Sequence, residues 1–315
     1  MTIRIATRRS PLAKWQANHV AALLRKNEPG LDVRLHELVT RGDKILDVPL
    51  SDVGGKGLFV KEIEDALLAR DAEIAVHSMK DLPALLAPGL VIAAVPERED
   101  PRDALCSPRW KTLDQLPKGA KVGTSSLRRG AQLKALRPDL ELHMVRGNVE
   151  TRLRKASEGL DAVVLAYAGL RRLGLAEHAT HVLSADEMLP AVAQGALALE
   201  ARADDPSTLK RLAALEHPET RVRTEAERGF LARIEGGCQV PIAGHARVEG
   251  ANVVLRALVA SLDGKRIIRA ERSAPLAGAR AMGEAVAEEL LSHGAAEILR
   301  ECEGKAPGLA APNRA

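Results

Sequence analysis

The chain has 315 residues, 46% hydrophobic and 28% charged, with 46 Lys and Arg against 42 Asp and Glu for a formal charge of +4. This is the composition of a globular protein with room for two or three domains, and it excludes a disordered chain. Five side chains are aromatic, Trp15, Phe59, Trp110, Tyr167 and Phe230, too few to stack single-stranded bases, and no apolar run approaches the ~18 residues of a membrane span.

The amino terminus enters the Ile3, Arg4, Ile5 alternation without the regions of a secretory signal, so the expected location is the cytoplasm. A short strand over 3–6 leads into a turn at 7–10, where Ser10 as N-cap and Pro11 at the first helical position start a helix. Leu12, Trp15, Val20, Leu23 and Leu24 share one face of it, Pro29 and Gly30 stop it, and Leu31, Val33 and Leu35 resume with strand period. A helix over 59–70 and a strand over 73–77 continue the alternation, so the fold class is α/β.

The polar stretch 96–101 predicts a crossing between domains, and a second series follows it. A strand at 121–123, a Thr124-Ser125-Ser126 turn and a helix from Leu127 to about 137 echo the start of the chain. A strand at 141–145, Gly147-Asn148, a helix over 149–157 and a strand over 161–167 repeat the plan, and the apolar run 162–170 reads as a buried strand. A second crossing is expected at 190–195, with 196–200 returning as a strand to the first domain. From about 218 the pattern becomes α+β: a helix over 219–234, a Gly-Gly-Cys turn, alternating segments at 242–248, 252–260 and 265–270, and an Ala-rich helix around 278–293. The Pro, Gly and Ala-rich end, 304–315, reads as a flexible tail.

Ligands of open α/β sheets sit beyond the carboxyl ends of strands, at helix starts with free N–H groups. Arg8 and Ser10 follow the first strand, and Ser78, Lys80 and Asp81 follow 73–77. Thr124, Ser125, Arg128 and Arg129 follow 121–123, while Arg146 and Asn148 follow 141–145, with Arg152, Arg171 and Arg172 near such ends. A lone Arg reads equally well as a solvated surface residue. Repetition at four strand ends points instead to a ligand with several carboxylates or phosphates, because guanidinium groups match both bidentately.

Gly54-Gly55-Lys56-Gly57 lacks the spacing and hydroxyl of a nucleotide phosphate loop and reads as a glycine-rich lid with a basic tip, or as a structural turn. Asp81, set among cations, suits stabilisation of a cationic intermediate or proton movement, against the plainer role of capping a turn before Pro83. His77 reads as packed or hydrogen-bonded. The cysteines Cys106, Cys238 and Cys302 are odd in number and without CxxC or zinc spacing, so neither disulfides nor a metal site are expected. Cys106 and Cys302 read as buried and inert, whereas the glycines before Cys238 suggest an accessible turn whose thiol can form a covalent bond.

Taken together, 4–8, 54–59, 75–83, 97–104, 122–129, 145–148, 190–195 and 235–241, in this order, resemble the porphobilinogen deaminase family of tetrapyrrole biosynthesis over nearly the whole chain. The resemblance implies two periplasmic-binding-protein-like α/β domains flanking a cleft plus a smaller C-terminal α+β domain. Domain one would be 1–96 with 196–215, domain two 101–190, and domain three 218–303. It implies a hydroxymethylbilane synthase, a transferase that condenses four porphobilinogen molecules, each losing ammonia, onto a dipyrromethane cofactor held by a thioether at Cys238. Water then releases linear 1-hydroxymethylbilane. By the same resemblance Asp81 is the catalytic carboxylate. Arg8, Ser78, Lys80, Thr124, Ser126, Arg128, Arg129, Arg146, Arg152, Arg172 and Gln194 bind cofactor and substrate, and Lys56 and Phe59 belong to the lid. The lid departs from many relatives at Asp52, where they carry Lys. The implied partner is the small-molecule substrate alone, without metal, nucleic acid or membrane, and the implied state is a monomer. Two other readings fit the residues: a non-catalytic binder of small polyanions, which needs neither a thiol anchor nor Asp81, and an RNA-binding protein, which needs a continuous basic patch.

Overall fold

The structure, a computed structural model, describes residues 2–40, 42, 60–234 and 240–303. It divides into two compact units, residues 1–99 with 195–222, and residues 100–194 with 223–315.

In the first unit β1 (Thr2–Arg8) buries Ile3 and Ile5 completely and pairs in parallel with β2 (Asp32–Leu38). Between them runs α1 (Pro11–Asn27), capped by the Ser10 hydroxyl, which accepts from the Ala13 N–H at 3.3 Å. Ala17, Val20, Ala21 and Leu24 recur at helical spacing and cover the sheet. After α2 (Lys61–Leu68), β3 (Ile74–Ser78) adds to β1 in parallel. β10 (Leu197–Arg202) lies antiparallel between β3 and β4 (Leu90–Ala94), giving the order β2-β1-β3-β10-β4. All six β10 residues are buried, as expected of a central strand covered on both faces. The predicted return at 196–200 is this strand, followed by α6 (Pro206–Ala213).

The second unit contains a sheet of the same plan. β6 (Lys121–Gly123) is parallel to β7 (Glu141–His143) and β8 (Ala162–Ala166). β5 (Asp103–Cys106) lies antiparallel between β8 and β9 (His181–Val182), in the order β7-β6-β8-β5-β9. Each sheet therefore takes its antiparallel inner strand from chain that has just crossed from the other unit. The helices are α3 (Leu127–Leu136), α4 (Val149–Ser157) and α5 (Tyr167–Arg172). The expected strand over 162–170 is corrected here: the register ends at Asp103↔Ala166, one further bond runs from the Tyr167 N–H to the Arg102 carbonyl oxygen at 3.0 Å, and with no partner strand continuing past it the backbone closes its own hydrogen bonds as α5.

α7 (Pro218–Arg233) leads to the antiparallel sheet β11 (Ile242–Glu249), β12 (Asn252–Ala260) and β13 (Ile267–Pro275), with α8 (Ala279–Leu290) packed on β12 and β13. The last strand begins two residues later and runs five further than the segment read at 265–270. The helix expected over 278–293 breaks at a wide turn where Gly294 has φ +98°, before α9 (Ala296–Glu303). The tip of the β12–β13 hairpin rests on α3, so closely that a Cβ on Gly264 would stand 2.4 Å from the Ala131 carbonyl oxygen.

α7 and α8 meet through glycines. A Cβ on Gly283 would lie 2.0 Å from the Ala226 carbonyl oxygen and 2.7 Å from the Phe230 amide nitrogen, both backbone atoms that cannot swing aside. In an open helix Gly→Ala stabilises by about 1 kcal/mol. Gly283→Ala should instead destabilise by about 3 kcal/mol, the upper range for overpacking, read from the urea midpoint; an unchanged or raised midpoint contradicts this packing.

Candidate active site

In the first unit the carboxyl ends of β1 and β3 lie side by side because the strands are parallel neighbours. Arg8 closes β1 and Ser10 caps α1, while Ser78 closes β3 and accepts from Gln16 Nε2 at 2.8 Å. One turn of 3-10 helix, Met79–Asp81, follows. Met79 and Leu82 are buried and anchor the turn, which leaves Lys80 half-buried and Asp81 exposed. A cavity of about 80 Å³ is lined by Arg8, Ser10, Gln16, His77, Ser78 and Asp81, with Val60 and Ile63 on its apolar side. His77 points its Nε2 to Glu200 Oε2 at 2.9 Å, and both are buried, in keeping with a packed, hydrogen-bonded histidine.

In the second unit Gly123 ends β6 where side chains of Val145, Leu160 and Val163 leave no space for a Cβ. The chain then turns through buried Thr124, whose N–H donates to the His143 carbonyl oxygen at 2.9 Å and whose hydroxyl accepts from the Ser126 N–H at 3.1 Å. Ser126 caps α3, its hydroxyl accepting from the Arg129 N–H at 3.4 Å. Arg128 and Arg129 occupy the first turn, each about 5% exposed. Both reach Asp103, the fully buried first residue of β5: Arg128 Nη1 lies 2.8 Å from Oδ2, and Arg129 Nε and Nη2 lie 2.9 and 2.8 Å from Oδ1. Gln194, equally buried, donates to Asp103 Oδ1 at 2.9 Å and to the Pro101 carbonyl oxygen at 2.7 Å. Burial alone would raise the Asp103 carboxyl, but the charges of Arg128 and Arg129 and the hydrogen bonds of Arg128 and Gln194 override it and hold the group well below the usual carboxylate range.

Arg146 follows β7 and is half-buried, and Arg152 on α4 donates from Nε to the Gly147 carbonyl oxygen at 2.8 Å. Gly147 has φ +115°, a conformation that favours glycine, and Asn148 caps α4 through the Thr151 N–H at 2.8 Å. Arg172 is buried in the last turn of α5.

The structure thus gathers Arg8, Ser78, Lys80 and Asp81 at one sheet edge, and Thr124, Ser126, Arg128, Arg129 and Gln194 around the start of α3. Lys56, Phe59 and Cys238, together with Asp52, lie outside the described residues. Asp103 and Gln16 were missed by sequence reasoning. The signal for Asp103 was an acidic residue opening the uninterrupted segment Asp103-Ala104-Leu105-Cys106 just after a crossing. Among the described residues no group of three or more His, Cys, Asp or Glu could hold a metal ion, and no helix is long and apolar enough to cross a membrane.

Two family models match the chain: porphobilinogen deaminase, dipyromethane cofactor binding domain, over residues 3–210, and porphobilinogen deaminase, C-terminal domain, over residues 222–292. Among solved structures, a nutrient binding protein from Burkholderia cenocepacia bound to methionine is similar at 17% identity and TM-score 0.43, covering 69% of this chain and 93% of that one. A periplasmic substrate-binding protein of an ABC transporter from Coxiella burnetii is similar at 16% identity and TM-score 0.44, covering 70% and 94%.

Cys106, on β5 beside this network, has its thiol pushed up to about 12 by burial, only partly opposed by the Arg129 charge. Below that pH it stays protonated and a poor nucleophile. Iodoacetamide at pH 8 should therefore leave Cys106 unmodified in the folded protein and alkylate it in 6 M guanidinium, as peptide mapping will show; fast native labelling contradicts its burial.

Proposed function

The chain belongs to the porphobilinogen deaminase family, and we propose that it uses the two strand-end clusters to make linear hydroxymethylbilane from porphobilinogen, with ammonia released at each condensation. The observation that carries this reading is the pairing of buried and half-buried cations at strand ends with one exposed carboxylate, Asp81, on the turn after β3.

The donor set fits a dipyrromethane. Such a molecule bears four carboxylates, and the chain offers guanidinium groups at Arg8, Arg128, Arg146, Arg152 and Arg172, an ammonium at Lys80, and hydroxyls at Ser78, Thr124 and Ser126, while all three guanidinium nitrogens of Arg129 are already engaged by the protein. Arg128 and Arg129 share a single carboxylate, so the α3 start keeps an excess of positive charge inside protein, where an anion is favoured strongly. Cys238 would hold the group through a thioether, acting as an anchor rather than a redox centre. When bound, the dipyrromethane supplies the free pyrrole α-carbon to which substrate is joined.

The protein's own residues orient, neutralise and stabilise. The arginines cancel carboxylate repulsion as acetate and propionate groups accumulate, and their forked donors fix ring orientation. Lys80 meets a substrate carboxylate, while Ser78, held by Gln16, offers a neutral hydrogen bond beside it. Loss of ammonia from porphobilinogen develops positive charge on the pyrrole nitrogen, and Asp81 accepts the pyrrole N–H and stabilises that charge. The family setting supports a monomer working in the cytoplasm.

Incubation with porphobilinogen should release one ammonia for each molecule consumed and yield a linear tetrapyrrole; binding without ammonia release contradicts the reading. Asp81→Asn should lower kcat about a hundredfold, the scale of losing one group aimed at developing charge. Since Asp81 is exposed, its unfolding free energy should stay within about 0.5 kcal/mol of wild type. A variant that keeps its kcat, or loses stability instead, removes Asp81 from the chemistry.

A further inference from the structure

Arg128 and Arg129 are adjacent in sequence but differently engaged. Arg129 donates from Nε and Nη2 to Asp103, from Nη1 to the Val164 carbonyl oxygen at 3.1 Å, and from Nη2 to Gln194 Oε1 at 3.5 Å, so each of its three nitrogens meets the protein. Arg128 uses Nη1 for both Asp103 Oδ2 and the Leu189 carbonyl oxygen, each at 2.8 Å. Among the described residues its Nε and Nη2 have no partner. The surroundings hold Arg128 from behind as well: Gln132 accepts from the Leu189 N–H at 2.8 Å and donates to the Arg128 carbonyl oxygen at 3.3 Å, and the β12–β13 tip presses on the same helix.

We propose that Asp103 is the positioning residue of this pair: it locks Arg129 as a strut and turns Arg128 so that its Nε and Nη2 edge takes one ligand carboxylate. One carboxylate between two guanidiniums leaves a single net positive charge, which one carboxylate balances. A second would be left unpaired in a buried site. The two arginines thus divide the work, with Arg128 binding and Arg129 holding Asp103 in register. This inference rests on the deaminase reading for the identity of the ligand, but not for the arrangement of the pair.

The test uses full-length protein and two readouts. The first is nitrogen NMR of the arginine side chains. In wild type the Arg129 guanidinium nitrogens should give separate, slowly exchanging signals; in Asp103→Asn they should merge as rotation is freed. The second is the porphobilinogen concentration at which half the apo-protein gains the covalent adduct, read by intact mass. Asp103→Asn should raise it about tenfold or more, and the same change made in an Arg128→Gln background should add nearly nothing, because both act through one carboxylate contact. A purely structural Asp103 would give additive effects in that cycle, and additive effects overturn the proposal. So do unchanged arginine signals in a folded Asp103→Asn protein. If Asp103→Asn does not fold, Asp103→Glu keeps the charge and alters its reach. It should shift the Arg128 and Arg129 signals and raise the half-saturation point, and unchanged values again overturn the proposal. Wild type that never gains an adduct removes the deaminase reading alone, and the NMR comparison still decides the role of Asp103.

Discussion

Inside the second unit two guanidinium groups and one carboxylate are taken out of water together, and the arrangement of the α3 start depends on how they satisfy one another. An isolated buried ion costs several kcal/mol even after relaxation, so Arg128 and Arg129 could not both sit at about 5% exposure without Asp103 between them. Gln194 completes the shell of Asp103 Oδ1, and its own bond to the Pro101 carbonyl oxygen ties the two ends of the 100–194 segment together at the same carboxylate. The excess charge left over is what the proposed anion site would offer, on guanidinium groups that Asp103 holds before any ligand arrives.

Topology explains why such sites occur at strand ends in each unit. Both sheets start with three parallel strands in the order second, first, third, and both add an inner antiparallel strand from chain that has just crossed over. Parallel neighbours bring their carboxyl ends to one edge, where the following turns carry Arg8, Ser78 and Asp81 in one unit and Thr124, Ser126 and the arginine pair in the other. The crossing strand supplies what the parallel strands cannot: β5 brings Asp103 to the second unit, and β10 brings Glu200 to His77 in the first.

Much of this was legible because it is locally encoded. Ser10-Pro11 and Ser126 announce helix starts through their own capping chemistry, and the hydroxyl-rich turn after β6 shows in the sequence as Thr124-Ser125-Ser126. The α/β class followed from such signals, and the strand-end arginines from their repetition. What stayed hidden is set by distant partners. β5 is four residues buried on both faces, so it carries no alternation, and it became a strand because β8 and β9 lie on either side. Tyr167 reads as strand until the register with Asp103 shows where pairing ends. Arg128 and Arg129 look equivalent in sequence; only a carboxylate 26 residues away from Arg129 makes one a strut and leaves the other an open edge.

On the proposed function Cys238 carries a primer built from substrate, on which the charged strand ends act. Intact mass spectrometry of freshly purified wild type beside Cys238→Ala tests it most directly. The wild type should show an excess equal to two porphobilinogen units less two ammonia, absent from the variant. A wild type at its bare polypeptide mass that stays bare after incubation with porphobilinogen would contradict it.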